Sequence, residues 1–569
     1  MPKKFTDLII NNALLIILGF FSLLCLAGIF YDYPLNTVGD ESTLLAATLK
    51  MIGHYSLRPA DPSFYHMPLV VYFYLPFVLI FLITLRVGGV FTSTQSIKEF
   101  VILDYYKLIP LARVLNIVLA VISLYLIYRL AREIFKSKKA GLLAATFLSF
   151  SLTFVQMAHF AKVWLPQTLA VIITLNFLAD LYLTSNPQLK RYLLAGLGVV
   201  LSFGVHFIGI IVYIPFLVTH FIRQRELSWR SILNRNFWLA NLLIVLFIPF
   251  IYYLNPYGFL NYGQSALSLL GISTPSLAVA QVPVGSSFVN AFTFYLKVLL
   301  FSEPLLFVLG LIGLVVISFR RSPWSYILGS FLVAYYLGIS QIDKFSFYIL
   351  PIIPVLAVLA VAPFYYLWPK LNKKFSLSLI YLTVFLMAVP VLWFSYDLLR
   401  PSSRVLALDW INKNIPTGES IINFDAYLSL NENREAILNI KKYAPNSFNQ
   451  KRAYLDSLSP DFYPLPDYNV LVWPHYDNFP SNLTLNSWHY LVISSWTPAD
   501  ERKDLKDLSV AGLNVKWVLV KSFPIETGDN YPRFDLSAEW TNPYRLLFNQ
   551  HDLGPRVNIY QAESYHQDE

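Results

Sequence analysis

Cysteine and charged residues are both scarce in this chain. Its 569 residues include one cysteine, Cys25, so neither a disulfide within the chain nor a cysteine-ligated metal site can form. Only 14% of the residues are charged, 56% are hydrophobic, and the mean hydropathy is +0.52. This composition argues against a soluble enzyme and is typical of a membrane protein with many spans.

Several functional motifs are also missing from the sequence. It contains no P-loop and no HExxH motif, which disfavours a reaction driven by ATP and proteolysis by a zinc enzyme. It has no basic face with a recognised binding motif, so no nucleic-acid partner is expected.

The basic residues are concentrated in short loops between apolar stretches. Residues 401–569 carry 15 Lys and Arg against 21 Asp and Glu, a net charge of −6, and the preceding residues carry 28 against 13, a net charge of +15. Short basic loops lie on the cytoplasmic side of membranes, so these clusters are predicted to be cytoplasmic. They are Lys3-Lys4, the residues from Arg129 to Lys139, Lys190-Arg191, the residues from Arg223 to Arg235, Arg320-Arg321, and the residues from Lys370 to Lys374.

Apolar stretches recur from Leu8 to Phe394. A helix needs about 20 apolar residues to cross the hydrocarbon region. The stretches predict about eleven transmembrane helices, a cytoplasmic N-terminus and an outer C-terminus. The run from Tyr192 to Ile222 is too long for one untilted crossing, and it predicts two short spans that meet near His206 at the outer face.

The stretch from Pro68 to Leu85 is ambiguous. The charge rule places Asp40 outside and the basic loop that begins at Arg129 inside, so the chain between them must cross the membrane an odd number of times. We expect Pro68–Leu85 to lie in or dip into the outer leaflet, and Leu108–Tyr128 to be the crossing. The alternative is that both stretches cross and that one basic loop violates the charge rule.

Beyond Arg400 the pattern becomes that of a water-soluble domain. A helical periodicity from Arg404 to Asn414 is followed by short runs rich in β-branched residues. These predicted strands are Ser420–Phe424, Tyr490–Ser494, Lys516–Val520 and Val557–Tyr560. The sequence thus predicts a helical membrane domain of residues 1–398, with a first outer loop of residues 31–107, and an extracytoplasmic α/β domain of residues 399–569.

Two adjacent acids, Asp40 and Glu41, directly follow the first apolar span, Leu8–Phe30. A carboxylate pair at the outer membrane face can bind a metal ion, act as a general base or orient a nucleophile. The alternative interpretation is that both acids only cap a helix that begins near Ser42.

The predicted outer loops also contain cations or ionisable histidines. These residues are His66, His159, Lys162, His206 and Lys344. Cations on several outer turns are the arrangement that an anionic leaving group requires, and we expect them to bind a donor phosphate. A lone histidine can instead be a packed interfacial residue, and Lys344 can be a membrane-surface anchor or part of a local ion pair.

Several ordered motifs together resemble the GT-C glycosyltransferases, in particular protein O-mannosyltransferases and the lipid A aminoarabinose transferase. The motifs are Gly39-Asp40-Glu41, His66-Met67-Pro68-Leu69, the stretch from Lys138 to Ala145, the stretch from Lys344 to Pro354, Leu408-Asp409-Trp410-Ile411 and Ile415-Pro416-Thr417-Gly418. Their order covers nearly the whole chain.

The resemblance implies an inverting transfer of a sugar from a polyprenyl-phosphate-linked donor to an acceptor outside the membrane. It implies that Asp40 is the catalytic carboxylate that activates or orients the acceptor, that Glu41 supports it, and that Lys344 faces the lipid phosphate. The implied partners are the lipid-linked donor, an extracytoplasmic acceptor and membrane lipid. The implied location is the cell membrane.

The chain departs from the resembled family at two positions. The second outer loop, from Ala158 to Pro166, has no acidic residue, and Trp164 stands about where an acid is expected. Tyr65 stands in place of a further acidic ligand. The sequence therefore assigns no metal ligands and leaves a requirement for a divalent metal ion open.

Three other functions stay open at this stage. The first is transfer of an intact lipid-linked glycan, as by a ligase or an oligosaccharyltransferase. A transporter of the lipid-linked sugar would need polar groups deep within the spans or two similar halves. Charges within the spans are sparse, and no inverted repeat is evident. A non-catalytic scaffold would fit the missing second acid but not the presence of Asp40.

Overall fold

The structure, a computed structural model, describes most of the chain. The described residues are 3–61, 64, 66–185, 188–224, 233–269, 288–342, 344–367, 373–473, 488–495, 503, 516–523 and 554–563. The side chains of residues 3–11, 39, 40, 262, 264–269 and 373 lie outside the described part.

Long helices follow one another from the N-terminus to Asp397. They are α1 (Lys3–Ala27), α2 (Gly39–Gly53), α3 (Val71–Val87), α4 (Thr94–Leu103), α5 (Ile109–Phe135), α6 (Lys138–Ser149), α7 (Leu152–His159), α8 (Trp164–Leu183), α9 (Leu189–Val205), α10 (Tyr213–Gln224), α11 (Arg235–Leu254), α12 (Pro256–Leu269), α13 (Phe288–Ser302), α14 (Pro304–Phe319), α15 (Pro323–Ile339), α16 (Ile353–Leu359) and α17 (Lys373–Asp397). Short 3₁₀ segments include Pro68–Val70, Phe207–Val212 and Ser346–Ile352.

The helices have the length and composition of an integral membrane protein. Within the described ranges, 7 helices are long and apolar enough to cross a bilayer, or up to 9 if each bent pair forms one span. Two shorter apolar helices, Asn12–Ala27 and Pro323–Ile339, add to these. The helical membrane fold is confirmed, and the count of about eleven crossings stays a prediction.

Two spans are sharply bent, and the two bends contact each other. The pair α6 and α7 is bent by 64°, and the pair α13 and α14 by 108°. Glu303, between α13 and α14, accepts hydrogen bonds from the Ser151 hydroxyl at 2.6 Å and the Thr153 backbone N–H at 2.8 Å. One carboxylate oxygen of Glu303 therefore accepts hydrogen bonds at the start of α7, where the first backbone N–H groups of a helix have no acceptor within the helix.

The interruption predicted near His206 is confirmed. Helix α9 ends at Val205, His206 is extended, and the 3₁₀ segment Phe207–Val212 leads into α10. A Cβ atom at Gly209 would lie 2.0 Å from the Ser202 carbonyl oxygen, so only glycine permits this close return of the chain.

The stretch Pro68–Val87 is continuously helical, as a 3₁₀ turn followed by α3. One face is buried through Val70, Tyr74 and Val78, whereas Ile80 and Ile83 are exposed apolar residues. The stretch is long and apolar enough to cross a membrane. Its predicted placement in the outer leaflet stays a prediction, because length and composition fit either position.

The C-terminal part is an α/β domain built on one five-stranded sheet. Its helices are α18 (Ser403–Asn414), α19 (Arg434–Tyr443) and α20 (Gln450–Asp456), and its strands are β1 (Ser420–Asn423), β2 (Asn469–Val472), β3 (Tyr490–Ser495), β4 (Trp517–Phe523) and β5 (Arg556–Ala562). The strand order is β2-β1-β3-β5-β4, with the first three strands parallel and β5 antiparallel to both neighbours. The four predicted strands and the predicted helix are confirmed, and β2 was not predicted.

Candidate active site

The acid pair lies in the first turn of α2. This helix begins at Gly39, with extended Val38 as its N-cap, three residues before the start near Ser42 that the capping interpretation assumed. Acidic residues in a first turn are stabilised by the helix dipole, which accounts for the earlier start. The backbone position of Asp40 is given by the structure, and its side chain lies outside the described part.

Glu41 is fully buried and is held by Arg113 of α5. The Nε atom of Arg113 donates to Oε1 at 2.9 Å, and its Nη2 donates to Oε2 at 2.8 Å. The Arg113 side chain is 2% exposed and the Glu41 side chain 0%. Two parallel charge-assisted bonds fix both the distance and the orientation of the carboxylate. The first turn of α2, which includes Asp40, is thereby fixed to α5.

Arg113 also holds the chain that leads out of α1. Its Nη1 donates to the carbonyl oxygens of Ile29 at 3.1 Å and Tyr31 at 2.7 Å. The guanidinium thus fixes the end of the first helical span and the first turn of α2 at the same time.

The second outer loop, residues 159–164, is attached to the same cluster. The Ala161 backbone N–H donates to Glu41 Oε1 at 2.8 Å, and the Asn116 amide donates to the Phe160 carbonyl. The guanidinium of Arg113 lies 5.2 Å from the centre of the Phe160 ring. The second outer loop has no acidic residue, and the carboxylate that it contacts is that of Glu41, from the first outer loop.

Lys162 points into an aromatic cage. We use this term for the rings of Trp164, His206, Phe347 and Tyr348. The Lys162 Nζ lies 4.9 Å from the centre of the Phe347 ring, and the residue is buried. The Trp164 ring centre lies 4.4 Å from that of His206, and also 4.4 Å from that of Tyr348. An ammonium group held against a ring face is attracted by the negative charge density of that face.

His66 is close enough to His206 for an electrostatic interaction. The segment containing His66 is fixed by Asn255, whose amide donates to the carbonyl oxygens of Phe64 at 3.0 Å and His66 at 2.9 Å. His66 thus interacts with His206, and His206 is linked to Lys162 through the rings of Trp164 and Phe347.

The other two predicted residues are placed differently. His159 is buried, its Nδ1 donates to the Val155 carbonyl at 2.8 Å, and its ring packs edge-on against Phe394 of α17. Lys344 is exposed and directly precedes Phe345, which stacks on Phe347 of the cage. These positions do not test whether His159 or Lys344 contacts a phosphate. Both assignments therefore stay predictions.

The described residues offer no group of three or more His, Cys, Asp or Glu side chains that could hold a metal ion. We assign no metal ligands to this site, and no step proposed below passes through a metal.

Arg113 and Asn116 were missed at the sequence level. Both lie in the apolar stretch Leu108–Tyr128, where a charged or amide side chain is costly unless it is paired. This cost could have indicated from the sequence that both side chains have partners. In the structure Arg113 pairs with Glu41, and Asn116 accepts a hydrogen bond from the Tyr74 hydroxyl at 2.8 Å.

Residues 109–253 match the family Dolichyl-phosphate-mannose-protein mannosyltransferase. The matched segment contains Arg113, Asn116, the second outer loop and His206. The predicted resemblance to protein O-mannosyltransferases within the GT-C glycosyltransferases is confirmed by this match. No curated protein matches the chain at a significant level.

Solved structures of other proteins align with this chain at 13–17% sequence identity. ArnT from Cupriavidus metallidurans bound to undecaprenyl phosphate has a TM-score of 0.47 and 13% identity, over 96% of this chain and 98% of that one. The Archaeoglobus fulgidus oligosaccharyltransferase has a TM-score of 0.46 and 13% identity, over 92% and 75%. The S. cerevisiae protein O-mannosyltransferase Pmt1-Pmt2 complex bound to the sugar donor has a TM-score of 0.32 and 17% identity, over 45% and 34%.

Proposed function

We propose that this protein is an inverting membrane glycosyltransferase that moves a sugar from a polyprenyl-phosphate-linked donor to an acceptor outside the membrane. The observation that carries the proposal is the arrangement around Glu41. Its carboxylate accepts hydrogen bonds from Arg113 and from the backbone N–H of Ala161, the residue before the buried Lys162. The family match over residues 109–253 supports the same class of reaction.

In the proposed reaction Asp40 takes a proton from the acceptor hydroxyl or amine. The acceptor oxygen or nitrogen forms a bond to the anomeric carbon as the bond from that carbon to the phosphate oxygen breaks. The polyprenyl phosphate leaves with the electron pair, and Lys162 stabilises its negative charge, a role that we also propose for His66, His206 and Lys344. Glu41 positions the first turn of α2, because both of its oxygens accept hydrogen bonds from Arg113.

The proposed topology follows the charge rule. The N-terminus is cytoplasmic, and the acid pair and the C-terminal domain lie on the outer side of the cell membrane. This orientation gives the site access to a donor in the outer leaflet and to acceptors outside the cell. The sugar is a hexose or a pentose.

The test is a panel of radiolabelled polyprenyl-phosphate sugars incubated with membranes containing wild-type protein or Asp40→Asn. Asn has nearly the shape of Asp but cannot take the proton, and general-base contributions are about 10² to 10⁴ in rate. We expect wild-type protein to consume one lipid and Asp40→Asn to lose at least roughly a hundredfold of that turnover. Glu41→Gln should lose less turnover than Asp40→Asn, because Glu41 only positions its neighbour.

Near-normal turnover by well-folded Asp40→Asn would move the catalytic role to another residue. Label that leaves the donor as an intact oligosaccharide would instead identify a lipid-linked glycan transferase. Label that crosses the membrane while still attached to the lipid would identify a transporter.

A further inference from the structure

Residues 31–38, which we call the bridging segment, connect two hydrophobic cores. Tyr31 and Val38 are buried in the core of the membrane domain. Leu35, between them, is buried in the core of the C-terminal domain. The bridging segment therefore alternates between the two domains over eight residues, directly before the acid pair.

Leu35 belongs to the C-terminal core by its contacts. It is 4% exposed and shares one cluster with Ile411 of α18, Ile421 of β1 and Ile559 of β5. Burying a leucine side chain contributes about 1.5 to 3 kcal/mol. The core of the C-terminal domain would therefore be incomplete without the first outer loop. The domain boundary at residue 398 stays a prediction.

Asp32 provides a second, electrostatic attachment of the same segment. It is buried, and the Thr37 hydroxyl donates to its Oδ2. It interacts with Arg404 of α18 and with Arg113 of α5. Arg404 is fixed within the C-terminal domain, since its Nε donates to Asp425 Oδ2 at 2.5 Å.

The surroundings of Asp32 act on its carboxyl group in opposite directions. Burial is the largest effect and raises the pKa of this group, whereas hydrogen bonds with Ser402 and Thr37 and the positive charges of Arg404 and Arg113 lower it by less. Groups of both domains therefore offset part of the effect of burial, and Arg113 also binds Glu41.

The far end of the first outer loop is attached to the same domain. Leu103, the last residue of α4, packs against a second buried cluster formed by Ile437, Leu455 and Tyr463. Both ends of the first outer loop are therefore held by residues beyond Arg400.

We propose that the C-terminal domain positions Asp40 through the bridging segment, with Leu35 and Arg404 as positioning residues. The inference rests on the proposed function. Asp40 lies five positions after Leu35, and an extended chain of five residues spans at most about 18 Å. Val38 and Glu41 are both buried on either side of Asp40, so a shift of Leu35 is transmitted to the first turn of α2.

The experiment compares Leu35→Ala with Ile421→Ala in the full-length protein in detergent. Both variants remove an aliphatic side chain from the same core, but only Leu35 lies on the bridging segment. Three quantities are measured: the unfolding temperature, hydrogen exchange of the amides of residues 36–45, and kcat with the donor lipid that wild-type protein consumes. Binding of undecaprenyl phosphate is measured as a separate probe.

Both variants should unfold at a lower temperature. Only Leu35→Ala should also exchange faster at residues 36–45 and lose roughly ten- to hundredfold in kcat, because small misplacements of a catalytic group are costly. Its binding of undecaprenyl phosphate should be unchanged. Leu35→Met, which conserves volume, should restore both exchange and kcat.

Equal changes in exchange and kcat for the two alanine variants would overturn the inference, because they would reflect core stability alone. Faster exchange with unchanged kcat would overturn it as well. If wild-type protein consumes no donor lipid, the proposed function fails, and the exchange comparison still decides whether the C-terminal domain holds the first turn of α2.

Discussion

Arg113 and Glu41 are 72 positions apart in sequence, yet they form two parallel hydrogen bonds in the interior of the protein. Each residue neutralises a charge that would be costly to bury alone. The pair also connects α5, the end of α1, the start of α2 and the second outer loop. A single buried ion pair thus determines how the two outer loops of the site are arranged.

Arg113→Ala should destabilise the protein by about 3–5 kcal/mol, because it leaves the Glu41 carboxylate buried without a partner. Arg113→Lys should recover only part of the loss, since an ammonium group cannot make two parallel bonds. The measurement is the unfolding temperature of the purified protein in detergent.

The matched control is Lys413→Ala, which breaks an ion pair with Asp409 whose side chains are 68% and 60% exposed. Exposed pairs of this kind contribute about 0.2–1 kcal/mol. If Arg113→Ala lowers the unfolding temperature no more than Lys413→Ala does, the buried pair does not stabilise the protein as predicted.

Lys344→Ala should weaken donor use roughly ten- to hundredfold if Lys344 contacts the donor phosphate, because charge-assisted bonds contribute about 1.5–3 kcal/mol. Lys344→Arg keeps the charge and should retain most of the activity. Dependence of the initial rate on donor concentration is the measurement. Equal loss in both variants, together with loss of protein from the membrane, would indicate a structural anchor instead.

Lys162→Met should weaken donor use by a similar factor of roughly ten to a hundred. Methionine fills the same space beside Phe347 without the charge, so the cage should stay packed. The same rate measurement and the unfolding temperature are compared with wild type. An unchanged rate with an unchanged unfolding temperature would remove Lys162 from the phosphate site.

Gly258→Ala should displace the segment that carries His66. A Cβ atom at Gly258 would lie 2.2 Å from the His66 carbonyl oxygen, a distance that forces the backbone to shift. We expect a loss of about 1–3 kcal/mol, as for other overpacked sites. The readout is the unfolding temperature together with donor use.

Gly263→Ala is the control on the same helix, because among the described residues no atom outside the neighbouring helix backbone lies within 4 Å of a Cβ at that position. Alanine favours a helix over glycine by about 0.8–1.0 kcal/mol. Gly263→Ala should therefore be neutral or slightly stabilising. Equal effects of the two alanines would show that the contact with His66 is unimportant.

The placement of Pro68–Val87 can be tested with single cysteines in a Cys25→Ser background. We choose Ser42, Thr92 and Lys138, since the neighbouring Ser93 and Ser137 cap α4 and α6 and should be left intact. An impermeant thiol reagent on intact cells should label positions 42 and 92 but not 138. Protection at 92 with labelling at 42 would show that this helix crosses the bilayer.

The sequence by itself determined the helical membrane class, the interruption at His206 and the strands of the C-terminal domain. These features depend on local composition: apolar runs long enough for a bilayer, a run too long for one span, and short β-branched segments. The order of the motifs also predicted the resemblance that the match over residues 109–253 confirms.

Only the tertiary structure decided how the candidate residues are combined. Periodicity cannot show that Arg113 reaches Glu41, because the two bonds depend on how α2 and α5 pack over a separation of 72 residues. It cannot show that Lys162 faces Phe347 while His159 packs against Phe394, three residues earlier on the same loop. Leu35 looks like an ordinary loop leucine in the sequence, and only long-range packing places it in the core of the C-terminal domain. Local preferences are read from neighbouring residues, whereas burial and ion pairing depend on residues brought together from distant parts of the chain.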